Sequence, residues 1–169
     1  NYGTLVVTDV DGDGYPDLVV LADVLREHVA VIRNEGGKGL RLLWDRFTEQ
    51  NYPDDHAALR VLTESVGDFD GDGRVEVVWS VYDDRTDRRW RTLVADALTG
   101  ETKREIPDTW LAAAGDLWPG HPPVLVLSRP KSREALSADR LSLWRGDGTR
   151  LCDLPPGTVV ADRTVADFA

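Results

Sequence analysis

The sequence predicts an all-β protein, a β-propeller-type array of four-stranded antiparallel blades with about three blades and the first strand of a fourth. Short apolar stretches alternate with glycine-rich and acidic turns, as expected for strands joined by tight connections. Four similar phases begin at Asp9, Asp68, Asp116 and Asp167, with spacings of 59, 48 and 51 residues. A repeat of about fifty residues built from strands is typical of propeller-like arrays.

The first unit, residues 1–58, holds four predicted strands and a crossover. A glycine-rich turn, Asn34 to Gly39, separates the last two strands, and the polar stretch from Phe47 to Ala58 is the predicted crossover. The four strands are expected near residues 4–8, 17–22, 28–33 and 40–46.

The second unit, residues 59–108, and the third, residues 109–156, repeat this order. Residues 157–169 are predicted to be the first strand of a further blade. Propellers typically need four to eight blades to close a ring. We therefore expect the array to contact further blades of a longer chain or another copy. The strands are expected near 61–67, 75–82, 89–96 and 101–106, then near 110–114, 123–128, 139–145 and 149–154.

The first acidic loop, Asp9 to Asp17, has the spacing of a calcium site. A hard dication takes about six to eight oxygens at ~2.3–2.6 Å, which alternate residues of a tightly curled backbone can supply. Gly12 and Gly14 permit the positive φ angles that such a curl requires. An EF-hand is disfavoured, since its loop needs a glutamate at position 12, where this sequence has Val20. The expected ligands are four carboxylates and one backbone carbonyl, from Asp9, Asp11, Asp13, Asp17 and Tyr15.

The second acidic loop, residues 68–76, repeats the pattern with a glutamate at its last position. Its expected ligands are four carboxylates and one backbone carbonyl, from Asp68, Asp70, Asp72, Glu76 and Arg74. The third loop keeps Asp116 but none of the later acids, so we expect no calcium there. The sequence thus predicts two Ca²⁺ sites. We expect the metal to clip a blade turn; the alternative is a calcium-gated site that a partner's oxygen completes.

At residues 9–17 and 68–76 the chain resembles the FG-GAP/VCBS repeat family, the integrin-α-like β-propellers. Repeats of that family carry an Asp-x-Asp-Gly-Asp-Gly-x-x-Asp loop between the first two strands of a blade. The resemblance is partial over residues 115–127 and only suggestive at residues 165–169. It implies a calcium-binding module that serves as an extracellular binding, adhesion or scaffolding unit. Because a fold does not choose a function, a sugar-binding lectin and part of a polysaccharide-degrading lyase or hydrolase stay open as alternatives.

Composition limits the partners and the location. The formal net charge of −10 disfavours nucleic acid. No stretch approaches the ~18 consecutive apolar residues of a membrane span, and no signal peptide opens the sequence, so we expect a mature chain or an excerpt. Loops of this kind bind calcium best near millimolar concentrations, which favours an extracellular or periplasmic location. The single cysteine, Cys152, is expected to be a buried thiol in a strand.

Candidate ligand contacts are few, and no catalytic residue is predicted. Five of the six tryptophans fall within or beside predicted strands and are expected to pack there. Trp118 instead lies in the third loop near His121, and these two are the possible contacts for a protein or carbohydrate ligand. Arg145-Gly146-Asp147 is interpreted as a tight hairpin turn rather than an adhesion motif. No known catalytic motif occurs, so an enzyme is disfavoured.

Overall fold

The computed structural model describes residues 4–22, 28–47, 57–60, 64–83, 87–130 and 140–158. Within these ranges the chain is all-β, with thirteen strands and no helix. No described helix is therefore available to cross a membrane. The strands form three antiparallel sheets, and strands adjacent in the chain are hydrogen-bonded neighbours in each sheet, except that β5 and β6 both pair with β7. This simple order confirms the predicted series of four-stranded antiparallel units, and the described strands form no closed ring.

Sheet 1 agrees closely with the sequence prediction. Its strands are ordered β1-β2-β3-β4. Each pair is antiparallel, and β3 and β4 change register between Val31 and Ile32. The bounds are β1 Thr4–Thr8, β2 Asp17–Ala22, β3 His28–Asn34 and β4 Leu40–Phe47.

Sheet 2 differs from the prediction at its first strand, which is split into β5 and β6. Arg60 of β5 pairs with Ser80, whereas Val66 of β6 pairs with Val77. Six residues along the first strand thus correspond to only three residues along β7, which a continuously paired strand does not allow. The prediction of one continuous strand over 61–67 was therefore wrong. β5 also lies partly inside the predicted crossover, most of which is outside the described residues. The bounds are β5 Ala57–Arg60, β6 Val66–Gly67, β7 Glu76–Asp83, β8 Arg89–Asp96 and β9 Thr102–Pro107.

Sheet 3 confirms the four strands predicted for the third unit, with ends that differ by one or two residues. Cys152 is exposed, so the expected burial of this thiol was wrong. It lies on the last strand of the sheet, which has a hydrogen-bonded neighbour on one side only among the described strands. The predicted strand at 157–169 lies almost entirely outside the described residues. The bounds are β10 Trp110–Gly115, β11 Val124–Ser128, β12 Leu141–Trp144 and β13 Arg150–Asp153.

The sheets pack face to face, and sheet 2 is buried on both faces. Successive side chains of a strand point to opposite faces, so Val77 and Trp79 of β7 face sheet 1, whereas Val78 faces sheet 3. The first core contains Val19, Leu21, Val29 and Val31 of sheet 1 with Val77, Trp79 and Ala95 of sheet 2. The second contains Val78, Val94 and Ile106 of sheet 2 with Leu111, Ala114, Leu125 and Leu127 of sheet 3.

Polar contacts fix these two packed joints. The Trp44 indole N–H donates to the Ala97 carbonyl across sheets 1 and 2, at 2.8 Å. Arg46 donates to Thr102 Oγ1 at 2.8 Å, and its guanidinium lies 5.6 Å from the ring centroid of Trp79. Between sheets 2 and 3, the Leu111 N–H donates to Ser80 Oγ at 2.8 Å. Each joint thus combines apolar burial with directional bonds that set the relative position of the sheets.

The Arg145-Gly146-Asp147 segment is the hairpin turn that joins β12 and β13. The Arg145 N–H donates to the Thr149 carbonyl at 2.9 Å, which closes the turn. Gly146 is buried, and its N–H donates to the Phe69 carbonyl of the second acidic loop at 2.9 Å. A Cβ at Gly146 would lie 2.6 Å from the Phe69 Cβ. This glycine therefore serves a close approach of two backbones, which confirms the interpretation as a structural turn.

Candidate metal centres

Each acidic loop connects the first strand of its sheet to the next. Loop 1, residues 9–17, joins β1 to β2, and loop 2, residues 68–76, joins β6 to β7. In each loop the glycines at positions 4 and 6 have positive φ, 75° and 87° in loop 1 and 81° and 85° in loop 2. Only glycine adopts such angles without a steric cost. The sequence therefore sets the curl of both loops in the same way.

The aspartate at position 1 holds the curl by accepting two backbone N–H groups. Asp9 accepts from the amides of Gly12 and Gly14, at 2.7 and 2.8 Å. Asp68 accepts from the corresponding amides of loop 2, at 2.7 and 2.9 Å. These bonds use both oxygens of the carboxylate, so this residue organises the loop through backbone hydrogen bonds alone.

The acids at positions 3 and 5 each use one oxygen for the backbone. Asp11 Oδ1 and Asp70 Oδ1 accept the amide two residues further on, both at 3.1 Å. Asp13 Oδ1 and Asp72 Oδ1 do the same, both at 2.9 Å. In all four residues Oδ2 takes no part in these backbone bonds, so it remains for a cation.

The acid at position 9 is fully buried in both loops, but its bonds differ. Asp17 Oδ2 accepts the Val10 N–H at 3.0 Å, and Asp17 Oδ1 accepts the Asn34 N–H at 2.7 Å. Glu76 places both of its backbone bonds on Oε2, which accepts the amides of Phe69 and Asp70 at 2.8 and 3.3 Å. Its Oε1 is then left for a cation. Burial raises the pKa of Glu76, and the cation beside it opposes that rise.

The residue at position 2 anchors each loop in an apolar core. Val10 is 4% exposed and belongs to the core between sheets 1 and 2. Phe69 is 1% exposed and belongs to the core between sheets 2 and 3. The acids on either side of these residues are therefore covalently connected to a side chain buried between two sheets. A change in loop shape would alter the packing of that side chain.

In each loop several carboxylates converge closely enough to share a metal ion. One oxygen from each of three acids in loop 1 lies within 4.8 Å of the others. The same holds for four acids of loop 2. Carboxylate oxygens are the donors that calcium prefers, so the residues present fit such an ion. The groups are Asp9, Asp11 and Asp17 in loop 1 and Asp68, Asp70, Asp72 and Glu76 in loop 2.

Two basic side chains that sequence analysis missed lie against these acids. Arg33 of β3 contacts Asp11 Oδ2 at 2.7 Å and Asp13 Oδ2 at 3.0 Å. The side chain of Lys103, on β9, reaches loop 2. Its Nζ is 2.6–2.8 Å from one oxygen each of Asp70, Asp72 and Glu76. No local spacing links either base to its loop, because each comes from a different strand of the sheet.

The electrostatics follow from these contacts. Burial alone lowers the pKa of Lys103, but its bonds to the three acids outweigh this and raise that pKa above the ordinary value. The same ammonium, together with the Arg74 amide, lowers the pKa of Asp72. In loop 1 the Tyr15 amide and then Arg33 lower the pKa of Asp13. In each loop a basic side chain thus favours the ionised form of the acid at position 5.

Three further predicted ligands, Asp13, Tyr15 and Arg74, do not belong to the two groups of converging carboxylates. Asp13 pairs with Arg33 and is not in the group of loop 1. The Tyr15 side chain is exposed and that of Arg74 pairs with the buried Asp96, so only their backbone carbonyls are candidates, as predicted.

The third loop, residues 116–123, has a different surface. Asp116 and His121 are exposed, and Trp118 is 48% exposed. Among the described residues, no acid cluster that fits a metal includes Asp116. Trp118 and His121 lie in one turn, in which the His121 N–H donates to the Trp118 carbonyl at 3.1 Å. Both side chains are thus accessible to a ligand.

A polar cavity lies at the end of sheet 2 opposite loop 2. Its volume is about 350 Å³. Glu76 begins β7 and Tyr82 is near its end, so the cavity is about 20 Å from the acids at ~3.4 Å per residue. In the described part of the chain, the buried Trp90 Nε1–H has no hydrogen-bond acceptor. The lining residues are Tyr82, Asp87, Arg88, Arg89, Trp90, Asp108 and Pro130.

The hydrogen bonds at positions 1, 3 and 5 match, so the two acidic loops share one local structure. Residues 9–79 match the model of the FG-GAP-like repeat family. This FG-GAP-like segment extends from the first acid of loop 1 to Trp79 on β7, so it contains both acidic loops. The resemblance predicted from the two motifs is thereby confirmed. Comparisons with curated proteins and with solved structures gave no match.

We predict that Asp68→Ala destabilises the chain even in the presence of a chelator, because two backbone N–H groups lose their acceptor. The expected loss is about 1–3 kcal/mol in the free energy of unfolding. Asp116→Ala is the control, and its expected effect is within about 0.5 kcal/mol, as for other surface changes. Denaturant unfolding checks both; equal effects for the two variants would contradict the structural role of Asp68.

Proposed function

We propose that the chain is a calcium-binding β-propeller-type module that serves as an extracellular or periplasmic binding, adhesion or scaffolding unit. The observation that carries this proposal is the pair of FG-GAP-like loops, in each of which carboxylates converge, three in loop 1 and four in loop 2. Under this proposal, residues 1–58, 59–108 and 109–156 form three blades, and 157–169 begins a fourth. The Tyr15 and Arg74 carbonyls and the Asp13 carboxylate complete the two metal sites.

Calcium is structural in this proposal. The loops supply their own ligands, and their position-2 residues are buried between sheets, so the bound metal stabilises the joints. Loops of this class bind calcium with dissociation constants of ~10⁻⁴–10⁻³ M. At ~1 mM calcium each site then contributes about 0.4–1.4 kcal/mol. This affinity range suits an extracellular or periplasmic protein.

The chain is expected to bind two calcium ions, one at each acidic loop. Asp11→Ala and Asp70→Ala should each remove one ion, since each deletes a carboxylate from one cluster. Asp116→Ala should leave both. Isothermal titration calorimetry after dialysis against a chelator measures the stoichiometry. Absence of calcium binding by the unmodified chain, or two ions retained by both loop variants, would refute the proposal.

The outer face of sheet 1 supports contact with another blade. Leu5, Val7 and Leu42 are 55%, 59% and 53% exposed, which is high for apolar strand residues. When the loops are aligned, Leu18 and Val20 of β2 correspond to Val77 and Trp79 of β7. The latter two are the residues by which sheet 2 packs on sheet 1. We therefore propose that this face packs on a further blade, supplied by a longer chain or another copy.

The isolated chain is expected to self-associate through this outer face. Val7→Lys combined with Leu42→Lys should reduce association, because charge on an apolar contact disfavours its burial. Leu117→Lys in the third loop is the matched control and should associate like the unmodified chain. Sedimentation velocity over a range of concentrations measures this. A monomeric unmodified chain would count against the outer-face contact without affecting calcium binding.

A carbohydrate ligand is the second candidate, favoured by the cavity at the opposite end of sheet 2. It combines arginine and aspartate side chains with an aromatic pair, Tyr82 and Trp90, whose ring centroids are 5.5 Å apart. Pockets for small polar ligands typically combine aromatic side chains with a few polar groups. The exposed Trp118 and His121 are the alternative contacts predicted from the sequence.

Titration of neutral and acidic oligosaccharides into ¹⁵N-labelled protein separates these positions. We expect the indole N–H signal of Trp90 to shift, because that group lacks an acceptor in the described structure. Trp44 should not respond, since its N–H is bonded to Ala97. A shift confined to Trp118 would place the ligand at the third loop, and no shift with any sugar would contradict the carbohydrate assignment.

A further inference from the structure

Lys103 contacts three of the acids that could hold a metal ion at loop 2. Its Nζ is 2.6 Å from Asp70 Oδ2, 2.7 Å from Asp72 Oδ2 and 2.8 Å from Glu76 Oε1. These are three of the four acids in the loop 2 cluster. The oxygens involved are those that take no part in the loop's backbone bonds. The ammonium is therefore a stand-in cation on the oxygens left for a metal.

Among the described residues, loop 1 has no equivalent of this arrangement. Arg33 contacts Asp11 and Asp13 through one guanidinium nitrogen, and within the described residues its ion-pair partners include neither Asp9 nor Asp17. Asp17 directs both oxygens to backbone amides. An ammonium is a compact point charge with three donors, whereas a guanidinium is a broad plane. Lys103 thus resembles a bound ion more closely than Arg33 does.

We propose that Lys103 is a tethered competitor for calcium at loop 2. Calcium and the ammonium need the same oxygens, and two cations at one position repel each other, so only one is bound at a time. Without the Lys103 ammonium, the carboxylates of loop 2 would bind calcium more tightly than they do in its presence. This inference rests on the proposed calcium function, and it adds that the affinity of loop 2 is set by a residue of another strand.

The metal-free state follows from the same contacts. Glu76 is fully buried, and a buried carboxylate without a counter-ion is strongly unfavourable. Lys103 supplies that counter-ion, so loop 2 keeps its shape when calcium leaves. Calcium binding then exchanges one cation for another instead of ordering an open loop.

Calcium titration of paired variants tests this exchange. In an Asp11→Ala background, which removes the loop 1 site, Lys103→Met should lower the dissociation constant of loop 2 about tenfold, as expected if the displaced contacts are worth about 1.4 kcal/mol. Lys38→Met, the same change at an exposed turn, should leave it unchanged. In chelator, Lys103→Met should also melt at a lower temperature, and calcium should restore more of its stability than that of the parent.

The outcomes separate the two proposals. Equal calcium affinity with and without Lys103 would overturn the competition and leave calcium binding intact, whereas no binding in either chain would overturn both. A measurement on the unmodified protein covers the case in which Lys103→Met does not fold. Of the three lysines in the sequence, Lys103 should give a protected ¹⁵Nζ ammonium signal in chelator that disappears at saturating calcium. Its persistence in the calcium-bound protein would refute the exchange.

Discussion

The structure depends on bringing several carboxylates to one point without leaving them unpaired. Four acids of loop 2 have oxygens within 4.8 Å of one another, and like charges at that distance repel one another and disfavour the fold. Two devices counter this. Backbone amides held in place by the glycines donate hydrogen bonds to the carboxylates, and a cation balances the remaining charge. In the described structure that cation is the Lys103 ammonium at loop 2 and the Arg33 guanidinium at loop 1.

This charge balance is tied to the packing of the sheets. Phe69 follows the first acid of loop 2 and is buried between sheets 2 and 3. Glu76, the last acid, begins β7, whose alternating side chains reach the cores on both faces. The Phe69 carbonyl also accepts the Gly146 N–H from the turn of sheet 3. A cation at loop 2 is therefore connected to all three sheets, through the loop backbone, the hydrogen bond from Gly146 and the apolar contacts of Phe69 and β7.

Much of this could be predicted, because the information is local. The alternation of apolar residues fixes the strands, and the Asp-Gly spacing fixes the loop curl. The split between β5 and β6 could not be predicted, since it depends on how Arg60 and Val66 pair with a strand further along the chain. Lys103 was missed for the same reason: it lies on β9, 27 residues after Glu76. The spacing of residues within a motif does not indicate which basic side chain of another strand contacts it.

The last position of the motif explains why the two loops are not equivalent. Aspartate and glutamate both satisfy the pattern, yet Asp17 binds one backbone amide with each oxygen, including that of Asn34 at the end of β3. Glu76 is one methylene longer and satisfies two amides with Oε2 alone. Its Oε1 is thereby released to the cation, where Lys103 meets it at 2.8 Å. Loop 1 thus uses its buried acid to hold two segments of backbone together. Loop 2 uses the corresponding acid to bind the Lys103 ammonium, so a difference of one methylene decides whether the buried acid has an oxygen left for a cation.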